Sequence, residues 1–338
     1  MVIERQHKCV FFAFVLLAAA CTATQDAGSA RTASMPPTAA TSPLPVPPTP
    51  HISTATPTAT PLPPIAANDY TPDFDGQSAL DHAAVQLGFG PRPVGSPAAR
   101  ATANYILEQL RGHGWQTEIQ EFEHLGLTVR NLIGRNAIGN GPVIVLGAHY
   151  DTRFEADRDP QSPGAPVPGA NDGASGVAVL LELARALDVE RLQNEVWLAF
   201  FDAEDNGGQY GWDWIVGSSY MAANLTVTPQ AVIILDMIGD ADQQIFLDRS
   251  SDGDLSARIW SVAAGLGYGD YFVAELKYSM LDDHTPFARL GIPAVDIIDF
   301  DYPYWHTTED TLDKISAESL EHVGRTLEYL LENQMAGS

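Results

Sequence analysis

The sequence predicts an α/β domain whose mainly parallel, mixed central sheet is covered by helices on both faces. Apolar runs of strand length alternate with helical segments between about residues 70 and 333. One of these runs, at 196–201, is followed at once by three acids, Asp202, Glu204 and Asp205. Open α/β sheets place their binding sites outside the carboxyl ends of the strands. This strand end is therefore the predicted centre of the chemistry.

The individual elements follow from their hydrophobic periodicity. The second helix shows the helical period well, since Ile106, Leu107 and Leu110 fall on one face. Helices are expected at 79–87, 99–112, 177–187, 218–223, 255–265, 283–290 and 317–331. The first two strands alternate apolar and polar residues like strands of a meander, whereas the later strands are apolar throughout, as buried strands are. The strands are expected at 117–122, 128–134, 142–146, 196–201, 231–235 and 294–298.

Three regions are predicted along the chain. Residues 1–21 have the form of a signal peptide, because a basic start precedes an apolar run too short to span a membrane. Residues 22–68 are mostly Pro, Thr, Ala and Ser and contain eleven of the 24 prolines, which indicates an extended linker or a glycosylated stalk. Residues 69–335 are long enough for one α/β domain with a full core, and they are the predicted catalytic domain.

The end of the signal segment predicts where the protein is located. The stretch Leu17-Ala-Ala-Ala-Cys21 resembles a bacterial lipoprotein signal, with cleavage before Cys21 and lipid on its sulfur. The third residue before the cysteine is Ala18, where Leu is commoner. We therefore expect an extracytoplasmic protein that contacts the membrane only through an N-terminal lipid anchor. The alternative is a soluble secreted protein.

Composition excludes two classes of site. The only cysteines are Cys9 and Cys21, so the predicted domain has neither a disulfide nor a thiolate metal site. Any metal ion must be held by His, Asp and Glu. A formal net charge of −25 also argues against nucleic acid as a partner, because the phosphate backbone repels such a surface.

Potential metal ligands follow several of the predicted strands or begin a helix. Their convergence at one edge of the sheet would make a metal centre, since zinc takes imidazole and carboxylate ligands and leaves a position open for catalysis. Asp172 begins a helix among glycines and could bridge two ions, although an Asp there could also simply cap the helix. Asp151 is expected to orient a histidine rather than bind the metal. The candidate ligands are His149, Asp172, one of the adjacent acids Glu204 and Asp205, Asp236 and His306.

Six motifs in order resemble metallopeptidase family 28, which contains zinc aminopeptidases and the related glutaminyl cyclases. They cover nearly the whole predicted domain. The motifs are Gly147-Ala-His-Tyr-Asp151, Gly169-Ala-Asn-Asp-Gly-Ala-Ser-Gly176, Phe200-Phe-Asp-Ala-Glu-Asp205, Leu235-Asp-Met-Ile-Gly239, Asp282-Asp-His-Thr-Pro-Phe287 and Trp305-His-Thr-Thr-Glu-Asp-Thr311.

The resemblance implies an enzyme with one or two zinc ions that acts on peptide or protein N-termini. In a two-metal peptidase, His149 and Asp236 would bind one zinc and Asp205 and His306 the other, with Asp172 as the bridge. In a cyclase, a single zinc would be held by Asp172, Asp205 and His306. In both, Glu204 would be the general acid/base. The commoner acidic pair in the family is Glu-Glu, whereas the second member here is Asp205, whose side chain is one carbon shorter.

Other details favour the cyclase branch. Trp305 before the last histidine resembles the cyclase Trp-His-Thr, and Asp282-Asp283-His284 resembles the cyclase Asp-Asp-His. The resemblance implies that Asp283 is catalytic and that Trp305, His284 and Trp214 contact the substrate, with Trp212 in the same loop as Trp214. The favoured activity is therefore glutaminyl-peptide cyclotransfer. The alternatives are a two-zinc aminopeptidase and, more remotely, a non-catalytic surface-binding lipoprotein.

Overall fold

The computed structural model describes residues 70–335. The predicted signal peptide at 1–21 and the predicted linker at 22–68 lie outside the described residues, and both stay predictions. Within 70–335, every helix is too short or too polar to cross a membrane.

The elements match the predicted order closely. The helices are α1 Gly76–Gly88, α2 Pro97–Gly112, α3 Ala174–Ala186, α4 Val216–Ala223, α5 Gly253–Gly265, α6 Thr285–Ala288 and α7 Ala317–Asn333. The strands are β1 Gln116–His124, β2 Leu127–Asn136, β3 Val143–His149, β4 Glu195–Phe201, β5 Ala231–Asp236, β6 Ile245–Asp248, β7 Phe272–Tyr278 and β8 Ala294–Ile298.

Six of these strands form the central sheet, in the order β1-β2-β4-β3-β5-β8. Strands β4, β3, β5 and β8 run parallel to one another, and the hairpin of β1 and β2 adds two antiparallel strands at one side. A simple meander would place β3 beside β2, but β4 takes that position. The predicted fold class, a single α/β domain with a mixed sheet, is confirmed.

The apolar strands are buried on both faces because successive side chains point to opposite sides of the sheet. In β4, Val196, Leu198 and Phe200 pack into the larger core together with residues of α2, α3, α5 and α7. Trp197, Ala199 and Phe201 pack on the other face with α4 and α6 residues such as Met221 and Phe287. This double covering leaves the carboxyl ends of the strands as the accessible edge.

Two features differ from the sequence-based expectation. Strands β6 and β7 form a separate two-stranded parallel sheet that was not predicted. The helix expected at 283–290 has only four residues, Thr285–Ala288, because the backbone of Asp282 accepts a hydrogen bond from the amide of Thr285 and Pro286 fixes the helix start. Asp283 and His284 consequently lie in the loop before α6.

Candidate active site

The candidate ligands meet at the carboxyl edge of the parallel strands. His149 ends β3, Asp236 ends β5, and Asp172 lies just before α3. Close approach between these segments requires glycine. A Cβ on Gly173 would stand 2.5 Å from the His149 ring, and one on Gly176 would stand 2.3 Å from the carbonyl oxygen of Leu235. The glycines of the 169–176 motif therefore let α3 start against the ends of β3 and β5.

Two clusters of three ligands share Asp172. In the first, His149 Nε2 lies 3.2 Å from Asp172 Oδ1 and 3.1 Å from Asp236 Oδ1. In the second, His306 Nε2 lies 2.8 Å from Asp205 Oδ1 and 3.6 Å from Asp172 Oδ2. The ligand atoms of each cluster lie within 4.8 Å of one another. The structure thus brings together all five residues proposed as ligands, with Asp172 in the bridging position.

The chemistry of these clusters fits a metal ion. Asp172 Oδ2 and Asp205 Oδ2 are buried without a hydrogen-bond partner among residues 70–335. Burial raises the pKa of Asp205 to about 6, and the neighbouring charge of Asp172 adds to this. Burial also opposes ionisation of Asp172, but a hydrogen bond from His149 holds the pKa of this carboxyl below its ordinary value. Buried carboxylates with free oxygens beside imidazoles are a donor set that suits zinc.

Asp151 holds the backbone of the acidic pair in place. Its carboxylate accepts hydrogen bonds from the amides of Glu204 and Asp205, at 3.0 Å and 3.3 Å, and from the side-chain amide of Asn206 at 3.0 Å. Its Oδ1 also lies 3.6 Å from His149 Nδ1. One carboxylate therefore positions both a ligand histidine and the two adjacent acids.

Glu204 and Asp205 serve different parts of the site although they are neighbours in sequence. Asp205 contacts His306, while Glu204 lines a cavity of about 210 Å³ beside the two clusters. Burial raises the pKa of Glu204 well above its ordinary value, and the charge of Asp282 adds to this, although His149 opposes it. A raised pKa equips a carboxyl for exchanging protons with a substrate near neutral pH.

Tryptophans and other apolar side chains form the walls of this cavity. The Trp214 ring is stacked with the His306 ring at 6.0 Å between centroids, and the Trp305 ring lies 3.9 Å from it. Arg153 stacks on Trp214 and Arg158 on Trp305. The remaining apolar wall is formed by Met237, Met280, Leu281, Ile298 and Phe300. The cavity is thus acidic at the clusters and aromatic at its sides.

Three residues highlighted in the sequence lie away from the cavity. Trp212 packs in a separate core cluster with Val94 and Val129. Asp283 is fully buried and does not line the cavity, although its neighbour Asp282 does. His284 is also fully buried, and its Nε2 lies 3.3 Å from Ser250 Oγ. The roles of Asp283 in catalysis and of His284 in substrate binding remain predictions.

A family model described as peptidase family M28 matches residues 131–331, which span this whole site. The chain belongs to peptidase family M28. The resemblance inferred from the six motifs is thereby confirmed, and the chain is an enzyme of this type.

The chain is similar to solved or curated proteins described as cyclases and as a peptidase. The crystal structure of Porphyromonas gingivalis glutaminyl cyclase has a TM-score of 0.73 and 34% identity, and the match covers 78% of this chain and 100% of that one. A leucine aminopeptidase precursor from Bacteroides thetaiotaomicron has a TM-score of 0.74 and 33% identity, over 78% of this chain and 99% of that one. The glutaminyl-peptide cyclotransferase of Drosophila melanogaster is 27% identical over 282 residues, which cover 71% of this chain and 78% of the relative.

Two residues that support the M28 site, Asp310 and Arg92, were not singled out from the sequence. Asp310 accepts hydrogen bonds from the amides of Asn171 and Asp172, at 2.8 Å and 3.2 Å. Arg92 is fully buried and donates to the carbonyl groups of three residues, Tyr150, Pro168 and Gly169. Asp310 lies in the Trp305–Thr311 motif and Arg92 in the sequence Pro91-Arg92-Pro93, so the sequence does mark both positions. What the sequence does not give is which backbone groups these side chains reach.

His306 has its own support in the M28 domain. Its Nδ1 lies 3.4 Å from Asp157 Oδ1, and Asp157 is paired with Arg153 at 2.6 Å. The backbone of His306 has a φ of 57°, which is uncommon for a residue with a side chain. The contacts on both ring nitrogens therefore hold this histidine in a conformation that local preference disfavours.

Proposed function

We propose that the chain is a zinc-dependent glutaminyl-peptide cyclotransferase, which converts an N-terminal glutamine to pyroglutamate and releases ammonia. The observation that carries the proposal is the small cavity in which Glu204 and the Asp172–Asp205–His306 cluster face Trp214 and Trp305. Its volume of about 210 Å³ suits a single terminal residue rather than a length of peptide. The similarity to the glutaminyl cyclases of Porphyromonas gingivalis and Drosophila melanogaster supports the same activity.

The donor set assigns the residues that would hold the metal. Asp172, Asp205 and His306 would bind one zinc ion, which when bound supplies a Lewis acid for the γ-amide carbonyl of the substrate. The walls of Trp214 and Trp305 would hold the flat amide and the forming ring between apolar faces. Apolar walls also exclude bulk water, which keeps the γ-amide from hydrolysis.

Glu204 performs the proton transfers in this proposal. As a carboxylate it takes a proton from the neutral α-amine of the substrate as the nitrogen forms a bond to the γ-carbonyl carbon. The bond between that carbon and the amide nitrogen then breaks, and Glu204 returns the proton to the departing ammonia. One residue can do both steps because both nitrogens are bonded to the same carbon once the new bond has formed.

A second candidate function is supported by the other ligand cluster. His149, Asp172 and Asp236 could hold a second zinc ion, and two metals sharing Asp172 suit hydrolysis of the N-terminal peptide bond. This is the aminopeptidase alternative, and the similarity to the Bacteroides thetaiotaomicron protein is in line with it. Both functions use Glu204, so they differ in product and not in the acid/base residue.

A comparison of two short peptides tests the proposal. The zinc-loaded protein is incubated with one peptide that begins with Gln and one that begins with Leu, and both are followed by mass spectrometry. The cyclase proposal predicts loss of ammonia from the Gln peptide while the Leu peptide stays intact. Removal of the first residue from either peptide would contradict it and favour the aminopeptidase.

We also propose that lipid on Cys21 anchors the protein to the outer side of the cell membrane. The support is the motif Leu17-Ala-Ala-Ala-Cys21 at the end of the apolar segment. Expression of the chain and of a Cys21→Ala variant in a bacterial host, with a labelled fatty acid, tests this. Label on the wild type alone would support the anchor, and absence of label from both would contradict it.

A further inference from the structure

A second group of buried ionisable side chains lies behind one wall of the cavity. We call Asp248, Asp282, His284 and Asp296 the rear cluster. Asp248 ends β6, Asp282 and His284 lie in the loop before α6, and Asp296 is in the middle of β8. Each is at most 4% exposed. The proposed catalytic chemistry uses none of them, although Asp282 reaches the cavity wall.

Two members of the rear cluster have polar atoms without a partner. Both carboxylate oxygens of Asp296, and Nδ1 of His284, are buried and lack any hydrogen-bond partner among residues 70–335. Both side chains are 0% exposed. A buried carboxylate with two unused oxygens is unfavourable unless something positive is bound to it. These atoms therefore indicate a missing ligand rather than a solvated acidic patch.

The charges of the rear cluster do not balance. Three carboxylates face a single imidazole, whose Nε2 lies 3.6 Å from Asp248 Oδ2 and whose Nδ1 lies 3.8 Å from Asp296 Oδ2. Within residues 70–335, the three carboxylates form no other ion pairs with basic side chains than these two contacts with His284. With all three carboxyls ionised, even a protonated histidine leaves net negative charge in a buried volume. A bound cation would neutralise it.

The spacing of the donors matches a metal ion. One donor atom from each of Asp282, His284 and Asp296 lies within 4.8 Å of the other two. Ligand atoms bound at about 2.0–2.2 Å around one ion stand roughly 3 to 4 Å apart, farther than hydrogen-bonded atoms do. The measured separation of 3.8 Å between His284 Nδ1 and Asp296 Oδ2 falls in this range.

We propose that Asp282, His284 and Asp296 bind a structural divalent transition-metal ion, distinct from the catalytic metal. An imidazole with two carboxylates favours Zn²⁺ or Mn²⁺ over Ca²⁺ and Mg²⁺, which prefer oxygen ligands alone. Asp248 is held by hydrogen bonds from the amide of Met280 and the hydroxyls of Ser250 and Ser251. It therefore orients the His284 ring from the opposite nitrogen and is not a ligand.

The ion would fix one wall of the catalytic cavity. Met280, Leu281 and Asp282 are consecutive, and all three line the cavity, whereas His284 and Asp296 lie behind it. An ion bound between Asp282, His284 and Asp296 would tie this loop to β8 of the central sheet. Residues 279–284, which lie outside any helix or strand, would thereby be fixed in position.

Metal content tests the proposal without reference to activity. The wild type, Asp296→Asn and Asp299→Asn are purified as full chains, equilibrated with zinc and dialysed. Their zinc content is then measured by inductively coupled plasma mass spectrometry. Asp299 is a matched control because it is also buried and follows the same strand. We expect Asp296→Asn to hold about one zinc ion per chain fewer than the wild type, and Asp299→Asn to equal it. Equal zinc content in Asp296→Asn and the wild type would overturn the proposal.

A second measurement needs no variant, in case Asp296→Asn does not fold. Crystals of the wild type grown with zinc are measured on both sides of the zinc absorption edge. The proposal predicts an anomalous peak between Asp282, His284 and Asp296, separate from any peak beside His306. Its absence, with density visible at His306, would overturn the proposal.

Discussion

At the scale of single residues, the site depends on adjacent carboxylates that do different work. Glu204 faces the cavity, Asp205 contacts His306, and both amides donate to Asp151. The shorter side chain of Asp205 still brings its Oδ1 to 2.8 Å from His306 Nε2. The departure from the commoner Glu-Glu pair is therefore accommodated, because the backbone is held close to the cluster.

Asp151 offers a test of this backbone control. Asp151→Ala removes the acceptor of three hydrogen bonds, so Glu204 and Asp205 lose their fixed position. Loss of such a supporting carboxylate lowers activity or metal affinity by about 10–100-fold. We expect kcat to fall in this range, and Asp151→Asn to recover part of the loss because it keeps one acceptor oxygen. Unchanged kinetics in Asp151→Ala would contradict the role.

The tryptophan wall makes a separate prediction about substrate binding. Trp305→Leu removes an aromatic face from the cavity but keeps an apolar side chain. Aromatic contacts contribute about 0.5–1.5 kcal/mol beyond their buried area, so KM for a Gln peptide should rise roughly 2–10-fold. Trp212→Leu is the control, since Trp212 packs away from the cavity. An equal change in KM for both variants would show that general destabilisation, and not the wall, is responsible.

At the scale of elements, the glycines before and in α3 set how closely this helix approaches the sheet. Gly176→Ala would put a Cβ 2.3 Å from the Leu235 carbonyl oxygen at the end of β5. The helix must shift away, at a cost of about 1–3 kcal/mol for overpacking of this kind. Gly88→Ala, at the end of α1, meets nothing within 4 Å and is the matched control.

Urea unfolding of both glycine variants measures the effect. We expect the free energy of unfolding to fall for Gly176→Ala and to stay near the wild-type value for Gly88→Ala. The metal affinity of Gly176→Ala should fall as well, because Asp236 directly follows Leu235. A Gly176→Ala protein as stable as the wild type would contradict the close packing of α3 on β5.

Most elements could be predicted because their periodicity is strong, and the exceptions have physical causes. β6 has only four residues and lies between polar segments, and four consecutive residues of β7 are exposed, so no alternation is visible in either strand. The ligands at the strand ends could be predicted because parallel strands place their carboxyl ends at one edge. Asp296 could not, since it is inside β8 and its neighbours Asp248 and His284 come from other elements, β6 and the loop before α6.

At the scale of the whole molecule, an unusually large number of carboxyl side chains are buried. Thirteen aspartates are buried among residues 70–335, several of them near the carboxyl edge of the sheet. A raised carboxyl pKa in the folded state means that the fold prefers the protonated form. The unfolded chain ionises at lower pH, so stability from such a group is lost as pH rises from the unfolded to the folded pKa.

The effect of Asp202 on the pH dependence of the free energy of unfolding can be measured. Burial raises its pKa to about 8, and the charge of Asp151 adds to this. Between pH 5 and 7 the folded carboxyl keeps its proton while the unfolded one does not, which lowers the free energy of unfolding by about 1.4 kcal/mol per pH unit. Asp202→Asn should remove this slope. Urea unfolding of the metal-free protein at three pH values measures it, with the exposed Asp270→Asn as control. A slope identical in Asp202→Asn and the wild type would contradict the raised pKa.

The central claim is that Glu204 carries the proton transfers of a cyclisation at the N-terminus of a peptide. The most direct measurement is ammonia release from a Gln peptide by the zinc-loaded wild type, by Glu204→Gln and by Glu309→Gln, whose glutamate is exposed in the loop after His306. We expect Glu204→Gln to lower kcat by about 10²–10⁴-fold with an unchanged melting temperature, because general acid/base catalysis contributes that much. Glu309→Gln should match the wild type. Ammonia release by Glu204→Gln at close to the wild-type rate would contradict the account.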